Sequence, residues 1–425
     1  MSKTIVYKFG GASVKDADAM KNLLDILRNR LRKNMVIVVS AMGKTTNSLE
    51  EILRLKMEGE DFSSNYTILK EFHLSICHQL FPDSHRVFAV LDNLFTSMSK
   101  QLNAELSEDN YDEYYDSIIG FGELFSSTIV MEYLCENDLL VLWQDARELI
   151  KTNSDFRFAK IDWAKTRKNC QTKLKAKIEN FPVVTQGFIG SDSQSRPTTL
   201  GREGSDFTAA ILASCLKASS VTIWKDVPGV LNADPKKFSS YFLFEELDYK
   251  QAAEMTYYGA SVIHPKTIMP LANARIPLFV KSFISPEDPG TKIHSTSSNS
   301  SISTYVLKEK QLLISFRVTD FTFIEEEQIH RVYEELKSLK LRVNMLQISA
   351  ISISIVLDEQ PFKLDRLLNR LKNDFEIRYN SNLELLTILH PEKSGMDSVM
   401  KDYEVFLEQQ TRNTFQVVRR KNMLS

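Results

Sequence analysis

One loop near the start of the chain combines glycine and charge in a way suited to phosphate. Residues 8–14 read KFGGASV, so Lys8 lies near the end of a β-like run that leads into Gly10 and Gly11. Adjacent glycines let backbone N–H groups approach an anion, and the N-terminus of the helix that follows favours negative charge. Lys8 could place an ammonium group on transferring phosphates. Taken alone, a Gly-Gly turn beside a lysine is more often plain structure.

A second glycine-rich loop carries both charge signs. Residues 198–210 read TTLGREGSDFTAA and run into a helical pattern. The helix N-terminus offers free N–H groups, and Arg202 could clamp a carboxylate with two hydrogen bonds. Asp206 falls in the first helical turn, where an acid commonly complements the helix dipole. It is also placed to orient Lys8 or to hold Mg²⁺.

Two further loops could contact a substrate. Residues 40–47 read SAMGKTTN after a strand, but a P-loop would need glycine at the position of Val38, so that interpretation is rejected. The hydroxyls of Ser40 and Thr46 remain candidate substrate contacts. In the segment GFGEL, Glu123 opens a helix, where it either complements the dipole or binds a substrate ammonium group.

The segment 224–236, WKDVPGVLNADPK, resembles a nucleotide-binding loop by its position. A strand ends in Lys225 and Asp226, and α/β sheets bind nucleotides outside the carboxyl ends of their strands. An ordinary hairpin is the alternative. In the later segment GASVIHP, His264 is interpreted as a packed or capping residue rather than a ligand.

An α/β scaffold is predicted to hold these loops. The spacing of apolar residues and the runs of β-branched residues predict alternating strands and helices. A more polar, helical lobe is predicted over about residues 49–110. A segment rich in Ser, Pro, Gly and Thr, residues 282–303, is predicted to be the domain boundary. Strands are expected over residues 4–9, 35–39, 139–143, 182–186, 221–225 and 278–281, and helices after Asp16 and over residues 207–217 and 249–258.

The spacing of apolar residues changes in the C-terminal part of the chain. Residues 304–382 are predicted to form a βαββαβ unit of ferredoxin-like type. A partial, truncated second unit is expected over residues 383–425, with a strand at 383–389, a helix at 396–409 and a strand at 414–418. The predicted fold class is therefore an αβα sandwich in residues 1–290, followed by a smaller α+β region.

Composition excludes several classes. With 43% hydrophobic and 25% charged residues the chain is typical of a soluble globular protein, and its net charge of −2 provides no basic field for nucleic acid. No apolar run approaches the roughly 20 residues of a membrane helix. The N-terminus lacks a signal-peptide core, and the four cysteines form no Cys-x-x-Cys pair. A cytoplasmic location is expected.

Taken together, the loops KFGGASV, SAMGKTTN, FGE, TQGFIGSD, TTLGREGSDFTAA, WKDVPGVLNADP and GASVIHP resemble those of the aspartokinases, in order and spacing, over about residues 1–290. The C-terminal region looks like the ACT regulatory domain of such kinases. The resemblance implies an ATP-dependent kinase that phosphorylates the β-carboxylate of L-aspartate, with MgATP as co-substrate and a homodimer formed through the ACT-like region. It implies no protein metal site. It further implies catalytic roles for Lys8 and Asp206; aspartate contacts from Ser40, Thr46, Glu123, Arg202, Glu203, Gly204 and Ser205; and ATP contacts from Lys8, Phe9, Gly10, Gly11, Lys225, Asp226, Leu231, Lys236, Ser261 and Val262.

The chain departs from the family pattern at several positions. Such kinases often have Gly at the position of Glu203, and many have Thr, Tyr and Lys at the positions of Lys225, Leu231 and Ser261. No clear glycine-containing effector loop lies between residues 318 and 325, so feedback inhibition by lysine or threonine is not predicted. Two alternatives stay open: a kinase of the same fold acting on glutamate, N-acetylglutamate, carbamate or UMP, and a non-catalytic amino-acid sensor.

Overall fold

The computed structural model describes residues 3–260, 263–295, 302–319, 322–392, 396 and 399–422. These residues form two compact units. The first comprises residues 1–230, 243–253 and 261–298, and the second residues 231–242, 254–260 and 299–425. The first unit contains an eight-stranded sheet and the second a six-stranded sheet.

The eight-stranded sheet is parallel except for one antiparallel pair, formed by the strands at residues 278–282 and 291–294. Its inner strands read as continuous apolar runs, as expected of a sheet covered on both faces; MVIVV at 35–39 is buried at every position. The strands are β1 (Ile5–Phe9), β2 (Met35–Val39), β3 (Leu142–Gln144), β4 (Val183–Gln186), β5 (Ile189–Ser191), β6 (Pro197–Thr199), β7 (Ser220–Lys225), β8 (Glu246–Asp248), β9 (Leu278–Ser282) and β10 (Thr291–His294). The order of strands in the sheet is β3-β4-β2-β1-β7-β9-β10-β8, and β5 and β6 form a separate hairpin.

Helices connect these strands. The predicted cap Asp16 is confirmed, since its side chain accepts a hydrogen bond from the Ala19 N–H at 2.8 Å. A helical stretch at 111–136 is long and apolar enough to cross a membrane, but 89% of its apolar window is buried, which is typical of a core helix. The helices up to residue 274 are α1 (Ala17–Arg28), α2 (Thr45–Met57), α3 (Ser63–Leu80), α4 (Val87–Leu102), α5 (Tyr111–Ile119), α6 (Phe121–Glu136), α7 (Ala146–Leu149), α8 (Trp163–Asn169), α9 (Lys175–Ile178), α10 (Gly204–Leu216), α11 (Tyr249–Tyr258) and α12 (Pro265–Ala274).

The segment predicted to be an irregular boundary contains a sheet strand. Strand β10 lies within residues 282–303 and pairs with both β9 and β8. Its alternating pattern, with Thr291 and Ile293 buried, is a short strand signal that the surrounding Ser, Pro and Gly residues obscured.

The second unit confirms the predicted βαββαβ order. Its strands and helices are β11 (Thr304–Arg317), α13 (Glu326–Ser338), β12 (Val343–Ile348), β13 (Ser352–Asp358), α14 (Pro361–Leu371), β14 (Glu376–Leu389), β15 (Tyr403–Gln410) and β16 (Thr414–Lys421). The sheet is antiparallel in the order β12-β13-β11-β14-β16-β15, whose first four strands have the ferredoxin-like arrangement. The core between this sheet and its helices includes Phe316, Val332 and Leu367.

For the region from residue 383 onward, the predicted strand is confirmed and the predicted helix was wrong. The strand expected at 383–389 is the second half of β14, which begins at Glu376 and contains Asn382 in a left-handed conformation at φ 53°. The predicted helix 396–409 becomes strand β15 from Tyr403 onward, after Asp402 at φ 68°. Tyr403, Phe406 and Leu407 have helical spacing, so the sequence pattern favoured a helix. Pairing with β16 overrides that local preference.

Candidate active site

Three neighbouring strands bring the predicted loops to one edge of the first sheet. Strand β1 lies between β2 and β7, and all three are parallel, so Lys8, Ser40 and Lys225 lie at the same carboxyl ends. A cavity of about 540 Å³ opens there. Of the predicted site residues it is lined by Lys8, Gly11, Ser40, Thr46, Glu123, Arg202, Glu203, Gly204, Ser205, Asp206 and Lys225.

A buried carboxylate between two lysines forms the charged centre of the cavity. The Lys8 Nζ lies 2.7 Å from one oxygen of Asp206, and the Lys225 Nζ lies 3.4 Å from the other. Burial alone would raise the pKa of Asp206, but the two ammonium groups outweigh it and hold that pKa below its usual range. Asp206 is therefore an anion that holds two cations at the cavity wall.

Close packing of two loops requires glycine at position 11. A Cβ atom there would lie 2.8 Å from the Ala41 carbonyl oxygen, which is too close for any side chain. The Gly43 N–H also donates to the Gly11 carbonyl at 3.1 Å. The loop after β1 is thus held against the loop after β2, with their backbones exposed to the same cavity.

Glu123 lies in the first turn of α6 and is only 3% exposed. One carboxyl oxygen accepts a hydrogen bond from the Ala41 N–H at 3.2 Å, and the other has no partner among the described residues. Burial raises the pKa of Glu123 to about 8, despite the opposing effects of the Ala41 N–H and Lys8. A buried carboxyl group with an unsatisfied oxygen is suited to receive a cationic group of a ligand.

The loop before α10 contains an unusual backbone conformation. Glu203 has φ 53°, in the left-handed region that favours glycine, and this is the position where the resembling kinases often have Gly. Arg202 is exposed beside it and lines the cavity. The loop thereby leads into the N-terminus of α10, where Gly204, Ser205 and Asp206 occupy the first turn.

Sequence reasoning missed a group of lining residues and the carboxylate behind them. Asp116 accepts hydrogen bonds from the Thr199 N–H and hydroxyl, both at 2.7 Å, and from the Arg157 N–H at 2.9 Å. The Arg157 guanidinium lies 4.4 Å from the centre of the Tyr115 ring. Phe188 lies in the loop TQGFIGSD, but no loop motif marks the other missed residues, because they come from separate segments and meet only in the fold. The missed lining residues with large side chains are Tyr115, Arg157, Phe158 and Phe188.

Three other predicted ATP contacts, Phe9, Gly10 and Asp226, are not among the residues that line the cavity. The Phe9 side chain is fully buried and stacks on Trp224 at 6.0 Å between ring centres, so only its backbone could reach a ligand. Gly10 adjoins the cavity, since a Cβ there would lie 3.3 Å from the Lys8 Nζ. Asp226 follows β7 but does not line the cavity.

Four further predicted ATP contacts cannot be placed in this cavity. Leu231 and Lys236 belong to the second unit. Ser261 and Val262 lie outside the described residues. His264, interpreted as structural, caps α12 by accepting from the Lys266 N–H at 3.2 Å.

Within the described residues no group of three or more His, Cys, Asp or Glu side chains is arranged to hold a metal ion. In the cavity Asp206 is already engaged by two lysines. This donor set fits a metal ion that arrives on ligand phosphates better than one held by the protein alone.

Comparison with known proteins agrees with this geometry. The model of the amino acid kinase family matches residues 3–282. The lysine-sensitive aspartokinase 3 of Escherichia coli is 33% identical over 362 residues, which cover 84% of this chain and 79% of that protein. A bifunctional aspartokinase/homoserine dehydrogenase of Arabidopsis thaliana is 32% identical over 293 residues, but these cover only 32% of its length.

Solved structures give the same result for the fold. The E. coli aspartokinase III structure in complex with aspartate and ADP matches with a TM-score of 0.82 at 27% identity, covering 98% of this chain and 96% of that one. The structure of the same enzyme with lysine and aspartate matches with a TM-score of 0.83 at 28% identity and the same coverage.

The chain belongs to the amino acid kinase family. Within that family it is an aspartokinase by its relatives and by its fold, with a C-terminal ACT-like region.

Proposed function

We propose that the chain transfers the γ-phosphoryl group of MgATP to the β-carboxylate of L-aspartate, giving 4-phospho-L-aspartate and ADP. This reaction is a first step toward lysine, threonine and methionine. The observation that carries the proposal is a cavity lined by both the Lys8–Asp206–Lys225 centre and Glu123, one of whose oxygens has no partner among the described residues.

The charge of the cavity suits two anionic substrates. A carboxylate with a reference pKa of about 3.9 is already ionised near neutrality, so the nucleophile needs no general base. The site must instead hold two anions together and offset their repulsion. Two lysines and two arginines line the cavity, against the carboxylates of Asp206 and Glu203, and burial keeps Glu123 protonated near pH 7. The lining of the cavity is therefore net cationic.

Lys8 and Lys225 act on the phosphates. Each ammonium group is held by one oxygen of Asp206, so both are oriented before ATP arrives. In the reaction the bond between the γ-phosphorus and the bridging oxygen of ADP breaks as the aspartate carboxylate attacks in line. Lys8 stabilises the negative charge on the transferring group, and Lys225 shares that charge. Asp206 positions both lysines.

Glu123 and Arg202 orient the amino acid. Glu123 receives the α-ammonium on its free oxygen and releases its own proton as the ion pair forms. Arg202 clamps the α-carboxylate, and the hydroxyls of Ser40, Thr46 and Ser205 supply further contacts at the cavity wall. Glu203 and Gly204 contribute through the backbone of the same loop. These groups leave the β-carboxylate free to face Lys8.

ATP binds at the carboxyl ends of β1 and β7. The backbone N–H groups of residues 9–11 approach the phosphates, and Lys225 and Asp226 lie beside them in sequence and strand position. Mg²⁺ is held chiefly by the nucleotide phosphates and neutralises part of their charge. Contacts from Leu231, Lys236, Ser261 and Val262 stay predictions.

A panel of acceptors tests the proposal. ADP release and hydroxamate trapping of the acyl phosphate are measured with aspartate, glutamate and N-acetylglutamate in turn. Aspartate is expected to give both signals, because Glu123 and Arg202 together select a free α-amino acid. Phosphorylation of glutamate or N-acetylglutamate in preference to aspartate would assign a different kinase. Nucleotide binding without ADP release in the presence of aspartate would instead indicate a sensor.

The chain is also proposed to form a cytoplasmic homodimer through its ACT-like region. The six-stranded sheet ends in β12 and β15, each paired on one side within the described residues. Strand edges of this kind readily pair with a second copy. Light scattering coupled to size exclusion measures the mass directly, and a monomeric mass at micromolar concentration would contradict the dimer.

A further inference from the structure

A second cavity of the first unit lies at the opposite ends of the same strands. It has a volume of about 1100 Å³ and includes Lys3, just before β1, and Ser219, just before β7. The catalytic cavity opens after residues 8 and 225 of these strands. A five-residue strand spans roughly 16 Å, so the two cavities are separated by the length of the strands.

Five cations line this second cavity, which we call the basic cavity. They are Lys3, Arg167, Lys175, Lys217 and Arg275. No aspartate or glutamate is among the lining residues, although the chain as a whole carries a net charge of −2. A cleft lined by one sign of charge focuses the electrostatic field and concentrates ions of the opposite sign.

The five cations also lack the ion pairs that are common elsewhere on this surface. Within the described part of the chain none of them lies within 4.0 Å of a carboxylate. By contrast, Lys70 pairs with Asp92 at 2.7 Å and Arg54 with Glu51 at 2.8 Å. Within the described residues, therefore, no ion pair with a carboxylate offsets the repulsion among the five charges.

Two of the cations occupy strained backbone positions. Lys217 and Arg275 follow α10 and α12 with φ 52° and 54°, in the left-handed region where glycine or asparagine is usual at a helix end. A cation near a helix C-terminus complements the dipole, which accounts for these two charges. The same effect applies to Arg167 and Lys175, in the last turns of α8 and α9, but not to Lys3 ahead of β1, and it does not explain why all five cations meet at one cavity.

We propose that the basic cavity binds a small polyphosphate anion, at a site separate from the catalytic cavity. Guanidinium and ammonium groups are the side chains that recognise phosphate oxygens, and the volume exceeds that of a single phosphate group. No aromatic side chain lines the cavity, so nothing there stacks on a nucleobase. The site therefore recognises linked phosphate groups and not a nucleoside.

Titration calorimetry of the full chain with inorganic tripolyphosphate, without aspartate or ADP, tests this proposal, and Lys8→Ala identifies any binding at the catalytic cavity. The double variant Lys217→Asn/Arg275→Asn removes two cations, and asparagine tolerates the left-handed backbone. We expect saturable binding at one site per chain that Lys8→Ala leaves in place and that weakens roughly tenfold or more in the double variant. The dissociation constant of ATP at the basic cavity is expected to lie within about threefold of that of tripolyphosphate, because no side chain there recognises the base.

Lys340→Asn is the matched control, because Lys340 is an exposed lysine at φ 51° beyond the end of α13 in the second unit. It should bind tripolyphosphate as the unaltered chain does. Absence of saturable binding to the unaltered chain would overturn the proposal. So would equal affinity in the double variant, or a preference of more than tenfold for ATP that the double variant removes. None of these readouts depends on kinase activity.

Discussion

The two ends of the β1 and β7 strands differ in how their charges are balanced. At the carboxyl ends Lys8 and Lys225 are paired with the buried Asp206. At the amino ends the five cations of the basic cavity have no carboxylate within ion-pair distance among the described residues. Paired charges are fixed in place and suit chemistry at one atom, whereas unpaired charges on the surface suit reversible capture of an anion.

The two ends also differ in how well the sequence reveals them. The catalytic residues follow the glycines and strand ends of recognisable loops, since backbone approach to a phosphate needs glycine at fixed positions. The cations of the basic cavity come from four separate segments with no common pattern, and only Arg167 and Lys175 share a helical stretch. Their convergence depends on helix packing that no local spacing encodes.

Loss of Lys8 should have the largest effect on the catalytic end. Lys8→Ala is expected to lower kcat by about 10³-fold, since a group aimed at charge that develops in the transition state is worth 2.7–4 kcal/mol or so. Asp206 keeps Lys225 as a partner, so folding should be retained. Initial rates of ADP release and circular dichroism measure the two effects.

Lys15→Ala serves as the control for that variant. Lys15 is close in sequence, but its side chain is 60% exposed and lies 3.8 Å from Asp16. The control should keep nearly full turnover. Near-normal turnover by Lys8→Ala would contradict the assignment of the catalytic end.

The second prediction concerns the pH dependence of aspartate binding. Burial raises the pKa of Glu123 to about 8, and only the ionised carboxylate can pair with an α-ammonium group. KM for aspartate should therefore fall as pH rises toward about 8, by up to about tenfold per unit. Glu123→Gln should raise KM by roughly 10–100-fold and remove this slope, because the charged hydrogen bond is lost. Steady-state kinetics across pH measures both.

The same carboxyl group fixes the sign of a stability change. The native pKa lies above the unfolded value, so the native state holds the proton more tightly and the stabilisation is lost as pH rises through about 8. Glu123→Gln should accordingly have a higher Tm than the unaltered chain above that pH, and a smaller Tm difference near pH 6 or so.

A KM for aspartate that is flat from acid to neutral pH would show that Glu123 does not meet the ammonium group.

A third prediction concerns the carboxylate behind the catalytic cavity. Asp116→Asn replaces an acceptor of three hydrogen bonds with an amide that can repel one of the donors. The variant should lose about 1–3 kcal/mol in the free energy of unfolding, the usual cost of a buried donor left unpaired. Urea denaturation measures this loss. Asp112→Asn, which changes an exposed partner of Arg157, is the control and should change stability by less than about 0.5 kcal/mol. Equal stability of the two variants would exclude a positioning role for Asp116.

The sequence predicts the features of the fold that depend on neighbouring residues better than those that depend on contacts between distant segments. The Asp16 cap and the helix at 249–258 depend on neighbouring residues, and both were predicted correctly. Strand β15 depends on pairing with β16, so the helical spacing of Tyr403, Phe406 and Leu407 misled the prediction. Asp116 and Arg157 were missed for a similar reason, because their contact joins segments 41 residues apart.

The smallest expected effect distinguishes the two strand ends by their response to salt. Unpaired like charges repel one another, and added salt screens that repulsion over a Debye length of about 10 Å at 0.1 M. The free energy of unfolding of the unaltered chain should rise with salt at low ionic strength. Lys217→Asn/Arg275→Asn should reduce that rise by up to about 1 kcal/mol, whereas Lys340→Asn should leave it unchanged. Urea denaturation across ionic strength measures the difference. An identical salt response in all three proteins would show that the cations at the amino ends do not repel one another, and the contrast with the paired charges at the carboxyl ends would then fail.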